Sequence, residues 1–393
     1  MNYQKATDEE SKQLLKRLVQ VNTCQPEGNE AEIIELIRSL LPDGLECSVV
    51  SCGSGRASLV AKLPGKSDKG GLAFLGHVDT VACRDLENWK YDPFEGRCEG
   101  GTMFARGAAD MKGGDAAMIM AARRLAALPQ RPDRPIYFCF TADEENAGAG
   151  VRSLEERGCF DDLDGIIVCE PSDEKISFCE KGALWLRLDV QGEACHASRP
   201  YLGKNAVEYA MRFAQMLRER AIDGRRHPIL GSTTMAVTKL HGGEMTNIVP
   251  PAASMELDIR TIPGHSHTEI LSEARGICAV LSDDGRGAAA ELTVLNDRPA
   301  IECGFSGDFR EGIAASASES GLNMSERGHW FFTDASLVIP QHSVPFVIAG
   351  PGDDKQAHVS NERIELSSVT RFSDFYMNYV LSRYYSADRE EKS

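Results

Sequence analysis

The sequence predicts a discontinuous α/β domain, a mostly parallel sheet flanked by helices, with an α+β domain inserted into it. Three observations predict this. Short apolar runs alternate with helical patterns up to residue 179, half-buried alternation takes over across 180–297, and buried α/β character returns over 298–393. Those limits are the expected domain boundaries.

In chain order, Leu14, Leu15, Leu18 and Val19, then Ile33, Ile34, Ile37, Leu40 and Leu41, recur at helical spacing. The runs 71–76, 135–140 and 165–169 are short, apolar and rich in β-branched or aromatic residues, as strands buried on both faces are. Between the first two, the Ala- and Met-rich stretch 115–128 predicts a helix. Beyond Glu180, Leu184, Leu186, Leu188 and Val190 alternate with Trp185, Arg187, Asp189 and Gln191, a strand with one wet face. Asn205 and Glu208 resemble a capping box and open a helix with a stripe at Val207, Ala210, Met211, Ala214 and Leu217. Met255, Leu257 and Ile259 oppose Glu256, Asp258 and Arg260 in a second alternating strand, and 291–295 predicts a third. Buried character resumes at Val338-Ile339 and 345–349, and an amphipathic helix follows through Val369, Phe372, Tyr376, Tyr379 and Val380.

Composition narrows the class. Hydrophobic residues are 42% and charged residues 26%, values of a globular chain with real cores. Lys and Arg number 43 against 59 Asp and Glu, and the resulting −16 would repel nucleic acid and anionic membrane, so neither is an expected partner. Twelve cysteines include no C-x-x-C pair, which predicts reduced, mostly buried thiols of a cytoplasmic protein rather than disulfides or a thiolate zinc site. The polar start predicts no secretion signal, and no apolar run reaches the ~18 residues of a membrane span. Gly148-Ala149-Gly150 is too short for a dinucleotide loop, and Gly65-Lys66-Ser67 lacks the upstream glycine of a P-loop, Val60 standing there.

Chemistry collects at the ends of the predicted strands. They finish in Gly76-His77-Val78-Asp79-Thr80, in Thr141-Ala142-Asp143-Glu144-Glu145 and in Cys169-Glu170-Pro171, and a glycine-rich turn, 106–114, carries Asp110 before the helix. Ligands of open α/β sheets bind outside the carboxyl ends of the strands, so these groups are expected at one crevice. Clustered carboxylates repel unless cations hold them, and imidazole with carboxylate suits zinc, manganese or cobalt. His77 and Asp79 share a strand face, where the acid can accept the imidazole N–H. Of Glu144 and Glu145, one can bind metal while the other takes a proton from a metal-bound water; His358, after Gly350-Pro351-Gly352, can complete the set.

Five motifs in order, 76–80, 106–114, Glu144-Glu145, Glu170-Pro171 and 350–358, together with 192–198, 247–250 and 258–264, resemble the dinuclear zinc hydrolases. That family includes acetylornithine deacetylase, succinyl-diaminopimelate desuccinylase, aminoacylase and glutamate carboxypeptidase. The resemblance implies a catalytic domain from 1–179 and 298–393, and a lid and dimerisation domain at 180–297 that makes a homodimer. It implies two Zn2+ ions, with Co2+ or Mn2+ as substitutes. Asp110 would bridge them, His77 and Glu170 would hold one, Glu145 and His358 the other, with Asp79 behind His77 and a cis peptide after Asp110. Two divalent ions would balance Asp110, Glu145, Glu170 and a bridging hydroxide, leaving Glu144 as general base. His196 would stabilise the oxyanion, Arg260 and Asn247 would bind a substrate carboxylate, and Thr333 would line the pocket, where Phe332 replaces the family's glycine and Ser336 follows the loop. For Arg260 a salt-bridge ladder with Glu256 and Asp258 competes. The implied activity is hydrolysis of an N-acyl amino acid; a dipeptidase or carboxypeptidase with the same site is the alternative, and the intact Glu144 weighs against a non-hydrolytic amino-acid binder.

Overall fold

The computed structural model describes residues 4–283, 288–304, 307–322, 325–342 and 344–386. The chain divides into two compact units, Met1–Phe178 with Cys303–Arg327 and Thr333–Ser393, and Cys179–Glu302 with Gly328–Phe332. The longer strands, numbered in chain order, are β1 (Glu46–Gly53), β2 (Arg56–Leu63), β3 (Leu72–His77), β4 (Ile136–Thr141), β5 (Gly165–Pro171) and β6 (Ile176–Glu180), then β7 (Gly182–Gln191), β8 (Thr234–Gly242), β9 (Ala252–Thr261), β10 (Ala289–Arg298) and β11 (Phe346–Gly350).

The first unit is built on the sheet order β1-β2-β4-β3-β5-β11-β6. β4, β3, β5 and β11 run parallel, while β2 and β6 join them antiparallel. Leu72, Ala73, Phe74 and Leu75 of β3 are fully buried, as are Ile166 and Ile167 of β5, because helices cover the central strands. Phe74 stacks on Phe138 at 5.2 Å between centroids and meets Tyr376 of the final helix Leu366–Tyr384 at 5.0 Å. The helix Gly113–Ala126 is buried nearly throughout. At its start Gly114 is obligatory, since a Cβ there would lie 2.2 Å from the Cys169 carbonyl oxygen. That close approach brings the turn before the helix up against the end of β5.

The second unit is the antiparallel sheet β8-β9-β7-β10 with helices Ala206–Ala221 and His267–Asp283. Leu184, Leu186, Leu188 and Val190 join Met255, Leu257 and Ile259 in a core with Tyr209, Phe213 and Leu217. Asn205 caps its helix as expected, accepting from the Val207 and Glu208 N–H groups at 3.1 Å.

Two sequence readings need correction. Met211 is 58% exposed; the buried stripe runs through Tyr209 and Phe213 instead, because large rings fill the space over the sheet. Val338, buried as expected, ends a short helix, Ala335–Val338, and Ile339 begins a 3-10 turn carrying Pro340. Only four of the twelve free cysteines, Cys139, Cys169, Cys179 and Cys303, are buried, the rest being partly or wholly exposed. Among the described residues no helix is long and apolar enough to cross a membrane.

Candidate metal centre

β3 ends on His77, which pairs in register with Thr141 at the end of β4, and Glu170 sits near the end of β5. These are the carboxyl ends of parallel strands, where backbone groups and side chains converge. His77 is 2% exposed; its Nδ1 lies 2.9 Å from the Asp79 carbonyl oxygen and its Nε2 3.2 Å from Asp110 Oδ1 and 3.4 Å from Glu170 Oε1. The other oxygen of Asp110, Oδ2, lies 3.3 Å from His358 Nε2, and Glu145 Oε2 stands 3.0 Å from the same nitrogen. Asp110 thus shows one oxygen to each of two imidazoles, each with a further carboxylate beside it. Its peptide bond to Met111 is cis.

The donor set fits divalent cations. Donors about 2.0–2.1 Å from a tetrahedral ion stand about 3.3–3.4 Å apart, close to the separations seen here. His77, Asp110 and Glu145 each offer a donor atom within 4.8 Å of the others. Glu170 Oε2 is buried with no hydrogen-bond partner, as an oxygen waiting for a cation would be. Burial raises the acids Glu170 and Glu145, and neighbouring carboxylates push the same way. Burial alone would depress the His77 imidazole, but Glu170, Asp110 and Asp79 outweigh it and hold it well above its usual range. His358 is pushed up to about 11 by Asp110 and Glu145.

Asp79 differs from the simple expectation. Its carbonyl oxygen, rather than its carboxylate, is the near partner of His77; Oδ1 is 3.6 Å from Nδ1. The carboxylate instead accepts the Glu144 N–H (3.0 Å), the Glu145 N–H (3.1 Å) and Gln25 Nε2 (2.8 Å). It therefore braces the acid pair as well as the imidazole.

Three residues here escaped the sequence reading. Gln25 hands Asp79 on to Arg56, which donates to Gln25 Oε1 (2.7 Å), Glu30 (2.9 Å) and Asp143. Asp143 also accepts from the Ala149 N–H at 3.1 Å, fixing the loop that bears Glu144 and Glu145. Glu362, fully buried, accepts from Arg106 and from three backbone N–H groups of the turn ending at Asp110. Burial pushes its acid up to about 7 against the pull of Arg106 and those N–H groups. Its only sequence signal is its place four residues after His358.

Thr333 belongs to the first unit and is fully buried, its hydroxyl accepting from the Ala335 N–H at 3.2 Å. In the second unit His196 is exposed, with Nδ1 2.8 Å from Ser198 Oγ. Asn247 lies beside it, its carbonyl accepting from the Ala197 N–H at 2.9 Å. Arg260 pairs with Asp258 at 2.9 Å, the ladder contact, and packs 5.8 Å from the Phe332 ring, which also covers Arg298 at 5.0 Å.

The chain is similar to known proteins over most of its length. Residues 73–382 match the model of peptidase family M20/M25/M40. A probable succinyl-diaminopimelate desuccinylase of Staphylococcus aureus (strain N315) is 26% identical, over 95% of this chain and 96% of that protein. An acetylornithine deacetylase of Vibrio campbellii is 28% identical over 91% of each chain. A solved M20 metallo-carboxypeptidase from Sulfolobus solfataricus superposes with a TM-score of 0.78 at 17% identity, covering 95% of this chain and 99% of that one.

Proposed function

The chain belongs to peptidase family M20/M25/M40, and on that premise we propose that this hydrolytic enzyme cleaves the amide bond of an N-acyl amino acid. One observation carries the proposal: the two carboxylate oxygens of Asp110 face two imidazoles, each accompanied by its own acid. That arrangement supports two zinc ions, one with His77 and Glu170 and the other with Glu145 and His358, sharing Asp110; cobalt or manganese would serve as substitutes. Divalent ions held there supply carbonyl polarisation and a water of pKa near ~7.

The chain's own residues do the rest. Glu144, next to the ligand Glu145 and held by its N–H on Asp79, takes the proton of the attacking water and delivers it to the leaving amine. Asp79 keeps the His77 ring oriented through its carbonyl and keeps Glu144 and Glu145 at fixed height through its carboxylate. The roles proposed for His196 at the oxyanion, for Arg260 and Asn247 at the substrate carboxylate, and for Thr333 at the pocket wall rest on the family resemblance, as do a homodimer through the second unit and a cytoplasmic location.

The two relatives named above are a desuccinylase and a deacetylase, which favours a deacylase over a peptidase. A dipeptidase or carboxypeptidase is the second reading, favoured by the fold shared with the Sulfolobus carboxypeptidase. The test is a panel of N-acetyl and N-succinyl amino acids against dipeptides, run on zinc- and cobalt-loaded protein. A kcat/KM highest for acyl amino acids is expected; a strong preference for dipeptides would establish the second reading.

A further inference from the structure

We propose that Glu362 is the positioning residue that makes Asp110 a shared ligand, and so decides whether the centre holds two ions or one. The inference rests on the two-ion reading above. Glu362 Oε1 accepts from the N–H groups of Ala109 (2.8 Å) and Asp110 (3.0 Å), and Oε2 from the Gly107 N–H (2.9 Å) and Arg106 Nη1 (2.7 Å). The Glu362 carbonyl oxygen also accepts from the Ala105 N–H at 3.1 Å.

The turn 105–110 is therefore wound around one buried side chain, and that side chain stands on the loop that bears His358. Asp110 itself has no helical backbone to fix it, with φ −118° and ψ 95°. The N–H contact to Glu362 holds the backbone from which its carboxylate reaches His77 Nε2 at 3.2 Å and His358 Nε2 at 3.3 Å. A small rotation of that backbone would carry one oxygen toward an imidazole and the other away. One ion would keep a full set, and its neighbour would lose the shared oxygen.

Only a carboxylate can accept all four donors. In Glu362→Gln the amide NH2 must face either the Ala109 and Asp110 N–H groups or the Gly107 N–H and Arg106, donor against donor. The glutamine variant keeps the volume and changes the acceptor count.

The experiment is a Co2+ titration of the metal-free protein by calorimetry and visible absorption, with metal-free thermal unfolding in parallel. Wild type is expected to take two ions; a single ion in wild type would overturn the two-ion reading and this inference with it. Glu362→Gln is expected to bind the first ion within threefold of wild type and the second at least tenfold more weakly, with an altered cobalt spectrum. Two ions bound as in wild type, with an unchanged spectrum, would overturn the positioning role alone. So would a parallel fall of both affinities and the metal-free unfolding temperature, which would mean that Glu362 only supports the fold. Should Glu362→Gln fail to fold, Glu362→Asp, with its carboxylate one methylene short, goes through the same titration with the same readings.

Discussion

Asp79→Asn tests the bracing of the acid pair. Asp79 is fully buried, and its two oxygens have different loads. Oδ1 accepts the Glu144 N–H at 3.0 Å; Oδ2 accepts both the Glu145 N–H at 3.1 Å and Gln25 Nε2 at 2.8 Å. Asparagine supplies one oxygen and one NH2, and the oxygen will take the Oδ2 position, where it satisfies two donors rather than one. The NH2 then faces the Glu144 N–H, which loses its acceptor. A buried donor left unsatisfied costs about 1–3 kcal/mol. At 1.4 kcal/mol per factor of ten, the turn at Glu144 should open about 5- to 150-fold more readily. Hydrogen exchange of the Glu144 amide in the metal-free protein reads this directly. Exchange at Glu144 should rise by that factor, while the Glu145 amide, still facing an oxygen, changes less. The reasoning fails if the Glu144 amide exchanges as slowly in the variant as in wild type.

Glu144→Gln should lower kcat by about 10²- to 10⁴-fold, the usual worth of a general base, while metal analysis finds the ion content unchanged; a variant at wild-type speed removes the assignment. Because neighbouring carboxylates raise the His77 and His358 imidazoles, the latter to about 11, ion binding should expel protons from the metal-free protein. The calorimetric enthalpy should therefore vary with the ionisation enthalpy of the buffer, and an enthalpy independent of buffer refutes it. The same raised values add stability that is complete below about pH 6.5, the unfolded value, and is lost as pH climbs toward about 11. Denaturation midpoints of the metal-free protein should accordingly fall above neutrality. Gly76→Ala places a Cβ 2.6 Å from Met111 Cε and 2.9 Å from Asp115 Oδ1, directly before His77. It should cost about 1–3 kcal/mol and speed the loss of ions to a chelator; unchanged retention would show that the strand end yields freely.

The cluster was legible because its members sit where local patterns announce them. His77, Glu144, Glu145 and Glu170 follow apolar runs that can only be buried strands, and Asp110 sits in a glycine turn before a helix. Glu362 was not legible, since an acid that acts on a turn some 250 positions earlier leaves no period or spacing to read. The same holds for Gln25 and Arg56: pairing of β2 with β4 brings Arg56 to Asp143, and Gln25 reaches Asp79 from a loop whose N–H donates to the Thr80 carbonyl at 2.8 Å. Helix faces were read less well than strand faces. Met211 was placed inside on hydrophobicity, although the two rings of Tyr209 and Phe213 had already filled the space available.

The sheet order sets a problem for synthesis. β5 and β6 are consecutive in the chain, yet β11 lies between them, and it begins at Phe346, 175 residues after β5 ends at Pro171. At the usual ~5–20 residues per second a ribosome needs roughly 9–35 s to cover that gap. Throughout that interval the nascent chain carries the β5 edge, a row of apolar residues with unpaired backbone groups, open to any passing strand. His358 and Glu362 emerge later still, so the cluster around Asp110 closes only after the edge has been sealed. The segment from Phe346 onward thus acts as the protein's own completion check: a chain that stops short of it presents a sticky edge and lacks both His358 and Glu362.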